Sequence, residues 1–128
     1  MKYNYRTNVK GYELDSFGHV NNSVYLNYTE QARWEILKNE GLLNLFFDSG
    51  FLLVVVETNI RYKRELKIFD RVNIETEIKH EAPYLIFYHH IKNIESGYSA
   101  AKAEVKTLLI NKERIPQDLP DELLVITK

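Results

Sequence analysis

Residues 15–41 read DSFGHVNNSVYLNYTEQARWEILKNEG, and the periodicity within this stretch decides the architecture. From Ser23 to Glu40 the spacing is helical. Tyr25, Tyr28, Ala32 and Ile36 fall on one stripe, while Asn27, Glu30, Gln31 and Lys38 lie largely away from it. Asn21, Asn22 or Ser23 can each cap the start, and Gly41 suits the stop. Upstream, Gly11 to Asn22 has no period and is read as a loop. Glu30 and Arg33, three residues apart, are expected to pair on the exposed helix face.

Outward from the helix, the period changes to two. Residues 2–10 alternate, with Tyr3, Tyr5, Thr7 and Val9 on one face of a half-buried strand. After Gly50 come four alternating segments, at 54–62, 72–79, 84–90 and 101–109. In the third of these, Leu85, Phe87 and His89 alternate with Tyr84, Ile86, Tyr88 and His90, and the strand is expected to be buried on both faces. Short turns between them predict an antiparallel meander. Leu42 to Phe47 predicts a short second helical turn, and Pro120-Asp121-Glu122 a short terminal helix. One helix cannot cover both faces of five strands, so the sheet is expected to curl around it. The fold class is α+β: a five-stranded antiparallel sheet wrapped around one long central helix, with residues 1–128 as a single domain.

Composition narrows the function. The chain has 128 residues, 45% apolar and 27% charged, which is an ordinary globular balance. With 17 Lys and Arg against 18 Asp and Glu, there is no net drive toward nucleic acid or anionic lipid. Cys is absent, which removes disulfides, thiolate metal ligands and a cysteine nucleophile. The N-terminus has no apolar leader, and the longest apolar run, Phe51 to Val56, is too short to span a bilayer. A soluble, cytoplasmic protein is expected. Nine Tyr, six Phe and one Trp suggest broad packing surfaces or an interface.

The chemistry concentrates in DSFGHVNN, residues 15–22, where the loop enters the helix. A helix N-terminus offers unpaired N–H groups and a positive dipole end, which together can stabilise an oxyanion. A carboxylate a few residues upstream can act there as base or nucleophile. Taken alone, Asp15 is more often a turn or capping residue and His19 a packing or solvent-facing one, and Asn21 and Asn22 can be nothing but caps. Gly18 would let backbone approach a ligand. His89 and His90 are adjacent on a strand, point to opposite faces and cannot chelate one metal. No metal, P-loop, dinucleotide or nucleophile-elbow motif occurs.

The stretch YELDSFGHVNNSVYLNYTEQAR, residues 12–33, resembles the signature of hotdog-fold thioesterases of the 4-hydroxybenzoyl-CoA thioesterase-like group. The element order is similar too, with the helix as sausage and the sheet as bun. The resemblance implies a catalytic carboxylate at Asp15 and a backbone N–H from the helix N-terminus at Asn22. Gly18, His19 and Asn21 match the motif that shapes the loop, and Tyr25 an aromatic position near the acyl pocket. It implies an acyl-CoA or acyl-carrier-protein substrate, no cofactor and no metal. It also implies an active site formed between subunits of a homodimer or homotetramer. Founding members carry a basic cluster after the third strand that touches the CoA nucleotide. Here that region reads KHEAPY, residues 79–84, with Lys79 and His80 but no Arg. The basic run RYKREL, residues 61–66, is a second candidate for CoA phosphates. A non-hydrolytic acyl-CoA-binding module and a hotdog hydratase or dehydratase are the competing readings.

Overall fold

The computed structural model describes residues 1–128. Strand β1 spans Lys2–Asn8, helix α1 Val24–Asn39, and a short helix α2 Leu43–Phe47. Strands β2 (Leu52–Tyr62), β3 (Arg71–Glu81), β4 (Tyr84–Asn93) and β5 (Ser99–Ile110) follow, and α3 occupies Asp121–Leu124. The five strands form one antiparallel sheet in the order β1-β3-β4-β5-β2. Helix α1 packs on its inner face, the hotdog arrangement that the sequence predicts. Strand β4 is central, but the expected burial of both its faces is not met: Leu85, Phe87, His89 and Ile91 are buried on the inner face, whereas Tyr84, Tyr88, His90 and Lys92 on the outer face are only half-buried.

One expectation is corrected. The four later strands are not a simple meander, because β2 pairs with β5 and not with β3. Alternation defines a strand and its faces but carries no information about its neighbour. Crossing three strand spacings takes roughly 14 Å. The eight residues between Tyr62 and Arg71 reach about twice that when extended. This crossover, residues 63–70, passes the end of the sheet at which α1 begins. Leu66, fully buried, anchors it in the core.

Helix α1 ends as its sequence demands. Gly41 has φ +71°, Gly41 N–H donates to Lys38 C=O, and Leu42 N–H donates to Leu37 C=O. This is a Schellman motif, and its two leucines are buried in the same cluster. The core has two apolar halves. Val24, Tyr25, Tyr28 and Ala32 of α1 pack on Val72, Ile74 and Ile91. Ile36 and Leu37 pack on Ile78, Leu85, Phe87 and Val105, with Leu123 and Ile126 of the tail.

Between the halves lies a polar row. Thr76 and His89 are opposite each other on β3 and β4, and His89 is 2% exposed. Its Nδ1 is 2.8 Å from Thr76 Oγ1, and its Nε2 is 3.3 Å from Arg33 Nη1. A guanidinium only donates, so Nε2 accepts and the neutral ring carries its proton on Nδ1, toward Thr76. The expected Glu30–Arg33 surface pair therefore does not form: Arg33 turns inward, and no carboxylate lies within ion-pair distance of it. His90 faces outward and bonds Ser99 Oγ at 2.8 Å, so the two histidines do point to opposite faces.

Burial, and then the charge of Arg33, push the His89 pKa down to about 3. Between there and the ordinary imidazole value, the unfolded chain binds a proton that the folded chain refuses. The contribution of His89 to stability is therefore greatest above about pH 6.5 and declines as pH falls toward 3. From pH 6.5 to 4.5 the loss is expected to be about 2 kcal/mol. Urea unfolding at the two pH values checks it, and in His89→Gln the difference shrinks by that amount. An undiminished difference would show that His89 is not its source.

Candidate active site

The loop before α1 is built from its own backbone. Asp15 N–H donates to His19 C=O and Gly18 N–H to Asp15 C=O. Asp15 Oδ1 accepts from Phe17 N–H at 2.8 Å and His19 N–H at 3.2 Å. Gly18 sits at φ +78°, where a side chain would be strained, so its part is to turn the loop. Short bridges Leu14–Val20 and His19–Lys67 close the loop against the crossover. Val20 N–H donates to Leu66 C=O at 2.9 Å.

Two side chains outside the expected set fix this loop to the helix. Glu13 is buried, and its Oε1 accepts from Lys10 N–H and from Tyr28 Oη, both at 2.8 Å. Burial first, then the bond to Glu13, raise the Tyr28 phenol pKa well above its usual value. The loop between Lys10 and Glu13 is thereby clamped to the second turn of α1. An acid three residues after Lys10 was the only trace of this clamp in the sequence, and it resembled a surface charge.

At the helix start, Ser23 occupies the cap position without a capping side-chain bond. Asn21 does the work instead: its Oδ1 accepts from Ser23 N–H and Oγ, each at 3.0 Å. Asn22 C=O accepts from Tyr62 Oη at 3.0 Å, and Asn22 N–H has no acceptor within the chain. Tyr25 packs edge-on against Tyr62 at 5.2 Å and Tyr28 at 6.2 Å, and burial pushes its phenol up to about 12.

Asp15, His19, Asn22 and Tyr25 line one cavity of 260 Å³, together with Tyr62, Lys63 and Arg64 at the end of β2. The structure thus brings together four of the six expected residues. Gly18 and Asn21 do not line the cavity, and they shape the loop and the helix start instead. The imidazole of His19 has no hydrogen bond to Asp15, since only its backbone engages that carboxylate. Lys79 lies over the Tyr88 ring, and neither it nor His80 lines the cavity. Lys63 and Arg64 of the basic run do, and Arg64 stacks on Tyr98 at 4.3 Å. A carboxylate with one oxygen held by amides, beside an unpaired N–H at the start of a 16-residue helix, is suited to acyl chemistry.

The helix-in-sheet fold is that of hotdog proteins. The chain belongs to the Thioesterase-like superfamily, whose family model matches residues 9–126. It is 37% identical over 71 residues to the long-chain acyl-CoA thioesterase FadM of Escherichia coli, across 56% of this chain and 54% of that protein. It is 27% identical to a putative esterase of Aquifex aeolicus, over 100% of this chain and 99% of the relative. Among solved structures, it superposes on the probable thioesterase YbaW of Escherichia coli with TM-score 0.86, at 28% identity and 98% coverage of each chain. The 1,4-dihydroxy-2-naphthoyl-CoA thioesterase Slr0204 of Synechocystis gives TM-score 0.91 over 99% of this chain and 96% of that one; at 23% identity it shares the fold.

Tyr28→Phe removes one of the donors to the buried Glu13 carboxylate. It is expected to cost about 1–3 kcal/mol in urea unfolding. Amides of residues 15–20 should also exchange faster with solvent, because the loop loses its tie to α1.

Proposed function

We propose that this protein hydrolyses an acyl thioester to a free acid and a thiol. The observation that carries the reading is that Asp15 and Asn22, whose N–H is unpaired, line one cavity at the N-terminus of α1. The carbonyl oxygen of the thioester takes the Asn22 N–H, where the helix dipole favours negative charge. Asp15 Oδ1 is fixed by two amides, and Oδ2 is free to act. It either takes a proton from the attacking water or attacks the carbonyl itself, forming an anhydride that water then opens. Both routes return Asp15 and expel the same thiol. The scheme calls on no metal or cofactor.

The thiol carrier is coenzyme A or an acyl carrier protein, and Lys63 and Arg64 at the cavity offer cations to its phosphate. A hydratase mechanism has less support, since His19 and Asp15 form no side-chain pair. We further propose that residues 1–128 act as one domain in the cytoplasm. No helix is long and apolar enough to cross a membrane.

The catalytic unit is proposed to be a homodimer or homotetramer. Strand β2 is an 11-residue edge strand with a bulge at Val56 and with Leu52, Val55 and Val56 exposed. Such an edge pairs readily with a second copy. Val56→Lys is expected to shift sedimentation toward the monomer, whereas an unchanged distribution would move the interface elsewhere.

Asp15→Asn preserves the acceptor for the Phe17 and His19 amides but removes the charge. Thiol release from a panel of short, long and aromatic acyl-CoAs should fall at least about a hundredfold, with the unfolding midpoint retained. Near-normal turnover would remove Asp15 from the mechanism. Saturable binding without release from the wild type would favour a binding module.

A further inference from the structure

Arg33 is half-buried on α1, and the groups in contact with its guanidinium are neutral. His89 accepts one of its five N–H donors, and the Phe87 ring lies 5.9 Å from its guanidinium carbon. The chain's ion pairs, Lys2–Glu75, Arg71–Glu95 and Lys106–Glu57, all lie elsewhere. Glu30, one turn away, is beyond ion-pair distance. Burial lowers the Arg33 pKa, and Glu30 only partly opposes that. A cation in these surroundings, without a carboxylate in contact, is an unusual expense for a fold.

Arg33 and Glu30 both line a groove of 300 Å³ between α1, α2 and the start of β2, with Glu30 too far from Arg33 to neutralise it by an ion pair. Trp34, Leu37, Phe46, Phe47, Leu53 and Val55 make its apolar walls. Trp34 and Phe47 stack at 5.7 Å with planes 6° apart. The inner face of β2 continues from Val55 through Thr58 and Ile60 to Tyr62, which lines the Asp15 cavity. Along α1 the distance from Tyr25 to Arg33 is about 12 Å. The groove and the Asp15 cavity therefore lie along one flank of the helix, with the cation remote from the reacting carbon.

We propose that this groove holds the acyl part of the thioester and that Arg33 binds a carboxylate carried at its remote end. The proposal rests on the thioesterase reading above. Methylene groups suit the apolar walls. A carboxylate matches the guanidinium fork and supplies the missing counter-charge. A methyl end at the same place would strip water from the cation and return nothing.

The test uses the full chain and two ladders of CoA thioesters of matched length, one ending in methyl and one in carboxylate. At the fitting length the wild type is expected to favour the carboxylate end at least about tenfold in kcat/KM. Arg33→Gln should bring that ratio to unity or below. A purely structural role would lower both ladders together and leave the ratio unmoved, which overturns the proposal. So does a wild type that favours methyl ends at every length. Phe47→Glu, at an exposed groove position on α2 away from the β2 edge, adds a repelling carboxylate and should also cut the ratio. An unchanged ratio in that folded variant counts against the groove.

If neither ladder releases thiol, non-hydrolysable thioether analogues measured by calorimetry separate the two readings. Tighter binding of the carboxylate-ended analogue, lost in Arg33→Gln, supports the site while refuting hydrolysis. Equal binding of the two analogues overturns the site. A changed oligomeric state in Arg33→Gln with an unmoved ratio would assign Arg33 to a contact with a second copy, and also overturns it.

Discussion

The pairing of β2 with β5 is the constraint on which the rest of this structure depends. It sends β2 to the sheet edge and forces residues 63–70 back across the end where α1 begins. The crossover then does three jobs there. Leu66 fills the core, and its C=O holds Val20 N–H at 2.9 Å. Asp70 Oδ2 accepts Lys67 N–H at 2.9 Å, while Asp70 C=O accepts from Val9 and closes the end of β1. If β2 lay beside β3, there would be neither a crossover to hold the loop nor a Tyr62 over Asn22.

Helix α1 borders two separate cavities as well as two halves of the core. Its first two turns carry Tyr25 and Tyr28, which wall the Asp15 cavity and clamp Glu13. Its later turns carry Arg33, Trp34 and Leu37, which line the apolar groove. The polar row of Thr76, His89 and Arg33 separates the two apolar halves of the core. Every polar group of that row except the remaining donors of Arg33 has its partner inside the protein. The helix is thus both the packing spine and the element that fixes the distance between the two cavities.

The loop illustrates how a mobile kind of segment becomes fixed in place. Loops carry function when a rigid scaffold positions them. Here the scaffold consists of the Glu13–Tyr28 bond, two short bridges and the fully buried Leu66. Asp15 spends one oxygen on its own loop, which fixes the direction of the other. The membership of the Thioesterase-like superfamily agrees with that arrangement, and the geometry gives it a physical basis.

Much of this was legible in the sequence. Helical spacing over 23–40 and alternation over the five strands are local properties, set by which face meets water, so they predicted the elements and the curled sheet. The string DSFGHVNN located Asp15 and Asn22, because a carboxylate ahead of a helix start is also a local pattern. Partners distant along the chain were not legible. Alternation cannot say that β2 joins β5, and a Glu in a loop does not announce a Tyr 15 residues later. Spacing put Glu30 beside Arg33, but burial against His89, 56 residues away, turned the arginine inward. The sequence by itself determined the elements, their faces and the candidate loop. Only the tertiary structure decided strand order, the clamp on that loop and the buried cation, because each depends on contacts that no local period encodes.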